Sequence, residues 1–87
     1  MKRNYDKIFN AVFSEYFTKV RHEKGLTRHD VAYYLHLNPN TFGGYEMGSR
    51  DVPISVMKDM CKFYGLDFLE TFKYLDAETT KRERNGG

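Results

Sequence analysis

The sequence is short of several things. It has one cysteine and two prolines in 87 residues. The lone thiol, Cys61, cannot close an internal disulfide, which fits a reducing compartment. It falls within an apolar helical pattern and is read as a core residue. No run of about 18 apolar residues occurs, so a membrane span is excluded. The charged N-terminus has no apolar stretch of leader type behind it, and a cytoplasmic location is the expectation. Strand-like alternation, internal repeats and low-complexity tracts are all missing. So are a nucleophile–base motif, a glycine-rich phosphate loop and a paired-carboxylate signature, which argues against an enzyme and against a cofactor. His22, His29 and His36 are evenly spaced but do not share one continuous helix, and no second cysteine accompanies them, so no metal site is expected. The net charge is only +2. That balance is compatible with nucleic acid without arguing for it.

What is present is helical periodicity. Tyr5, Ile8, Phe9, Val12, Phe13, Tyr16, Phe17 and Val20 follow the i, i+3, i+4 spacing of an amphipathic helix over residues 5–24. Gly25 can take the left-handed conformation that ends it. Thr27 and Asp30 have the spacing of a capping box for a short helix over 28–35, with Val31, Ala32 and Leu35 inward. Asn38 is an N-cap and Pro39 suits the first position of a third helix over 39–47, which stops at Gly48. A fourth helix is expected over 53–64, with Ile54, Met57, Met60, Cys61 and Tyr64 on one face and Gly65 at its end. Asp67 and Glu70 cap a fifth carrying Phe68, Leu69, Phe72 and Leu75. Residues 77–87 are polar and end in two glycines, and they are expected to be a disordered tail behind one domain at 1–76.

Gly25-Leu26-Thr27, Val31-Ala32, Leu35, Leu37-Asn38, Thr41-Phe42, Tyr45-Glu46, Gly48 and Pro53 together resemble the lambda-repressor-like (XRE/Cro-type) helix-turn-helix family. The register runs from Thr27 to Pro53 without a gap. The resemblance implies an all-α, five-helix DNA-binding domain with an extended first helix. Its second short helix crosses the backbone of double-stranded DNA and its third enters the major groove. It implies a repressor-like transcriptional regulator that acts by occupying an operator as a homodimer. Arg28 then matches a phosphate-binding position. Asn38, Pro39 and Asn40 open the reading helix, with Asn40 suited to adenine and Pro39 to a thymine methyl. Thr41 and Arg50 are candidates for phosphate contact, and the helix N-termini offer free N–H groups. Arg21 and Glu46 match a pair that ties the third helix to the first.

Gly43 and Gly44 depart from the family pattern, which has side chains there, and position 44 is a base-reading site. Each glycine weakens a helix by about 0.8–1 kcal/mol relative to alanine. Three readings stand: close approach of the backbone to DNA, a helix that orders only on DNA, or a surface that now binds protein. Asp51 adds negative charge beside Arg28 and Arg50, a thin basic footprint. Lys2, Arg3, Lys81, Arg82 and Arg84 add positive charge at the two ends. The second function that follows is a protein-interaction module, antitoxin-like or anti-regulator, on the same scaffold. Tyr5, Phe9, Phe13, Tyr16 and Phe17 are more aromatic surface than a short first helix needs. Either the extension folds onto the fifth helix, or a dimer seam is formed by the extension or by Phe68, Phe72, Tyr74 and Leu75 of the fifth helix.

Overall fold

The computed structural model describes residues 3–86, so Lys2 and Gly87 of the two ends considered above lie outside the described residues. Five helices follow one another: α1 (Asn4–Glu23), α2 (Arg28–Tyr34), α3 (Pro39–Met47), α4 (Ile54–Tyr64) and α5 (Phe68–Arg84). No strand occurs among the described residues, and the class is all-α as expected. The helix ends obey local chemistry. The Thr27 hydroxyl accepts from the Asp30 N–H at 3.1 Å while the Asp30 carboxylate accepts from the Thr27 N–H at 2.9 Å. These bonds hold the Asp30 carboxyl below its usual range. Asn38 and Asp67 cap α3 and α5 through the N–H groups of Asn40 and Glu70, both at 2.8 Å. Pro53 stands one residue outside α4 as its N-cap, in extended conformation, so that helix begins one residue later than the sequence indicated.

The core is assembled from every helix. Phe13 and Phe17 of α1, Val31 and Ala32 of α2, Phe42 of α3, Met57, Met60, Cys61 and Tyr64 of α4, and Leu75 of α5 are all buried. Each large side chain among them contributes about 1.5–3 kcal/mol by leaving water. Cys61 is a core residue as read from its pattern; burial pushes its thiol up. Ile54 is not on the buried face of α4. It is the first residue of the helix and is 56% exposed.

The aromatic N-terminal half of α1 lies along α5. Phe9 packs on Phe72 with ring centroids 5.9 Å apart, Tyr16 packs on Tyr74 at 5.4 Å, and the Tyr5 hydroxyl donates to Asp76 at 2.7 Å. Phe72 is thereby partly covered and Leu75 is fully buried within the chain. Leu75 is then not free to build the seam considered for it, whereas Phe72 keeps part of its surface exposed.

The expected break at residue 76 is absent: α5 continues unbroken to Arg84. The reason is that the inward stripe of Phe68, Phe72 and Leu75 extends one more turn to Thr79, which is fully buried. Its hydroxyl is satisfied by the Leu75 carbonyl at 2.7 Å, so a polar residue type fills an apolar position. Beyond it Arg82 grips both oxygens of Glu15 on α1, at 3.0 and 2.8 Å, and holds that carboxyl below its usual range. Lys81, Arg82 and Arg84 also complement the negative end of the helix dipole. A chain ending at Asp76 is therefore expected to lose about 1–3 kcal/mol of stability. Urea unfolding checks this; an unchanged midpoint would mean that residues 77–84 contribute nothing.

Candidate nucleic-acid interface

Glu46, near the end of α3, is fully buried. A carboxylate in that position needs strong donors, and two helices supply them. From α1, Arg21 brings Nε to 2.9 Å of both carboxylate oxygens and Nη2 to 2.8 Å of Oε1. From the start of α2, Arg28 brings its Nε to 3.0 Å of Oε1. Arg21 also donates through Nη1 to the Leu26 carbonyl at 2.8 Å, which closes the turn between α1 and α2. The Glu46 carboxylate holds the Arg21 guanidinium above its already high range, so it stays charged although buried. One carboxylate thus fixes the mutual placement of α1, α2 and α3. Tyr64 approaches the same cluster from α4, and burial with the Glu46 charge pushes its hydroxyl up to about 12.

The connection between α2 and α3 is tight. His36 takes a left-handed conformation, φ 57°, and Leu37 N–H reaches back to the Ala32 carbonyl at 2.9 Å. A non-glycine residue there costs roughly 1–2 kcal/mol. Leu37 packs against the core and repays part of that cost. With Phe42 and Glu46 drawn inward, the 100° step of an α-helix decides which α3 residues face out. Gly44 falls at the centre of the outward side, flanked by Asn40, Thr41 and Met47. Asn40 is exposed, Met47 is 62% exposed, and Thr41 and Pro39 are half-buried.

Gly43 and Gly44 differ in kind. A Cβ built at Gly43 meets no atom within 4 Å, so space does not demand glycine there. A Cβ at Gly44 would stand 2.7 Å from Cδ of Arg50 and 3.0 Å from its Cγ and Nε. The Arg50 side chain already occupies that place. Gly48 ends α3 at φ 79° and passes close to α1, where a Cβ would lie 3.0 Å from the Asn10 carbonyl oxygen. Asp51 accepts from the Asn10 amide at 2.8 Å, so its charge is turned toward α1.

A family model described as a helix-turn-helix domain matches residues 12–71. The chain belongs to the helix-turn-helix domain family. It is also 29% identical, over 73 residues, to the cryptic phage CTXphi transcriptional repressor RstR of Vibrio cholerae. That match covers 84% of this chain, which spans 64% of the length of the curated relative. No solved structure matches the chain. The helix-turn-helix unit itself is α2, the His36 turn and α3. Both the family expected from the Thr27–Pro53 register and the five-helix class are met.

The structure brings together Pro39, Asn40, Thr41, Gly44 and Arg50 on or beside α3, and Arg21 with Glu46 beneath it. Asn38 is exposed but spends its side-chain oxygen on the cap. Gly43 is buried and is not on the outward face. Arg28 is divided: its Nε is bound to Glu46, while its side chain remains 40% exposed. Arg82 is committed to Glu15 and Glu78, whereas Lys81 and Arg84 are exposed on α5. No helix is long and apolar enough to cross a membrane, and no cluster of metal-ligating residues occurs, among the described residues. Sequence reasoning missed the second arginine on Glu46 and the seat of Arg50 on Gly44. The Arg21, Arg28 and Glu46 triplet carried a usable signal, since one buried carboxylate readily takes two guanidiniums. Nothing in the spacing of Arg50 announced its return onto the helix.

Two outcomes follow. Glu46→Gln leaves the buried Arg21 charge uncompensated and is expected to cost about 3–5 kcal/mol in denaturant unfolding; a loss below ~1 kcal/mol would deny the cluster its structural role. Gly43→Ala, with open space for the methyl, should stabilise the fold by about 0.8–1 kcal/mol in a thermal melt, and a lowered midpoint would contradict the open site.

Proposed function

We infer that this chain is a transcriptional repressor that binds double-stranded DNA through the outward side of α3 and acts by occupying its operator, not by catalysis. The observation that carries the reading is the division of α3. Phe42 and Glu46 anchor it, leaving Asn40, Gly44 and Met47 directed away from the body. A helix held so, behind a tight turn, suits a groove about 12 Å wide. The helix-turn-helix family and the similarity to a phage repressor support it. In this reading Asn40 contacts a base, Pro39 contacts a thymine methyl, and Thr41 reaches the backbone. The Nη groups of Arg28 donate to a phosphate while its Nε stays on Glu46. The lambda-repressor type, a cytoplasmic location and a homodimer spanning two half-sites belong to the same reading. Exposed Leu69 and Tyr74 on α5 offer apolar surface for the dimer.

A second reading, a protein-interaction module, is favoured by one feature: the side of α3 that faces out carries a bare glycine and an exposed methionine. A mobility-shift assay at low salt separates the two. The DNA reading expects retardation of duplexes. No retardation, together with a stable protein complex in pull-down, would replace it with the second.

Residue roles are tested by titrating a selected duplex and its single-pair variants. Asn40→Ala is expected to cost roughly 1–3 kcal/mol of discrimination at one base pair. Arg28→Gln should weaken binding to all sequences alike and lower the salt slope by about 1. Equal loss on every duplex from Asn40→Ala would contradict its role as a reader.

A further inference from the structure

We propose that Arg50 replaces the side chain missing from position 44 and reads a guanine in the major groove, with Gly44 as the seat that admits it. The proposal rests on the DNA-binding reading and changes the phosphate role that the sequence indicated for Arg50.

Gly44 lies at the middle of the outward side of α3, where a side chain would point straight at the bases. Glycine leaves that place bare, and a residue from the following loop fills it. Cγ, Cδ and Nε of Arg50 all lie 2.7–3.0 Å from where a Cβ of residue 44 would be. Three successive atoms at nearly one distance mean that the chain runs across the helix surface and not away from it. The stem of Arg50 therefore lies on the outward side of α3, over Gly44. Arg50 is exposed, and its guanidinium makes no ion pair among the described residues.

The backbone is built to hold it there. The Gly44 carbonyl accepts from Ser49 N–H at 3.0 Å, from Arg50 N–H at 3.2 Å and from the Ser49 hydroxyl at 3.3 Å. Gly48 supplies the left-handed turn, and Asn10 fixes Asp51 on the far side of Arg50. The arginine thus departs from a loop pinned at both flanks, which limits the freedom lost on reaching a base. A guanidinium presented to the groove matches guanine O6 and N7 with two parallel N–H donors, a geometry that lysine does not supply.

The test uses the full chain. The wild type first selects its preferred duplex from a random pool. Affinities of wild type, Arg50→Ala, Arg50→Lys and Gly44→Ala are then measured on that duplex and on every single-pair variant. Both Arg50 variants are expected to lose discrimination at one G·C pair by roughly 5- to 150-fold, leaving the pair read through Asn40 unaffected. Gly44→Ala should give the same loss with Arg50 present, because the methyl takes the place of its stem. Replacing the guanine by 7-deazaguanine should reproduce the loss in the wild type and add nothing in Arg50→Ala. Uniform weakening on all duplexes by Arg50→Ala, with a salt slope reduced by about 1, would make Arg50 a phosphate contact and overturn the proposal alone. Unchanged discrimination in Gly44→Ala would overturn the seat. A wild type that retards no duplex at low salt would overturn the DNA-binding reading and this proposal with it.

Discussion

The buried carboxylate of Glu46 is the constraint on which the architecture turns. An ionised group with no access to water is tolerated only when its lone pairs are filled by strong donors, and here they come from Arg21 on α1 and Arg28 on α2. Apolar packing alone would allow α3 to slide or roll, since dispersion and area burial are poorly directional. The guanidinium forks are directional. They fix the roll of α3 about its axis, and that roll decides that Gly44 and Asn40 face outward while Phe42 faces in. Such an arrangement adds little net stability over an apolar substitute, but removing one member strands a charge. Its value lies in orientation.

The aromatic half of α1 and the long α5 close on each other through Phe9, Phe72, Tyr16 and Tyr74, fastened at either end by Tyr5 with Asp76 and by Arg82 with Glu15. None of these clamp residues belongs to α2 or α3, although α2 carries its own exposed aromatic pair, Tyr33 and Tyr34, with Tyr34 stacked on Phe63. The loop after α3 then folds back on the helix because the Gly44 carbonyl collects its donors. Gly43 and Gly44 weaken α3 as an isolated helix, but the missing Cβ at Gly44 admits the Arg50 side chain of that loop, and the missing Cβ at Gly48 lets the helix end pass close to Asn10 of α1.

Much of this was legible in the residues. Helical periodicity and caps placed all five helices, because Thr27, Asn38 and Asp67 satisfy orphan N–H groups in the same way in any context. The Arg21 and Glu46 pairing came from the family pattern, not from spacing. The end of α5 was not legible. Thr79, Glu78 and Arg82 have the composition of a solvated tail, and only the facing Glu15 and the backbone bond of Thr79 show that they are held. The site was half legible for a related reason. Asn40 and Pro39 follow from local helix geometry, whereas Arg50 on Gly44 depends on a loop trajectory fixed by Asn10, forty-one residues away in sequence from Asp51. Ile54 marks the same limit: it is an apolar residue in register at the helix start, yet it is exposed.

The central claim is that Glu46 and its two arginines hold the Gly44 side of α3 outward as the surface that meets DNA. Amide and arginine side-chain NMR shifts of the labelled chain, titrated with double-stranded DNA, test it most directly. The account predicts that the largest changes fall on Asn40, Thr41, Gly44, Met47 and Arg50, with the α1–α5 clamp unmoved. Changes centred on Tyr5, Phe9 and Tyr74, with α3 silent, would contradict it.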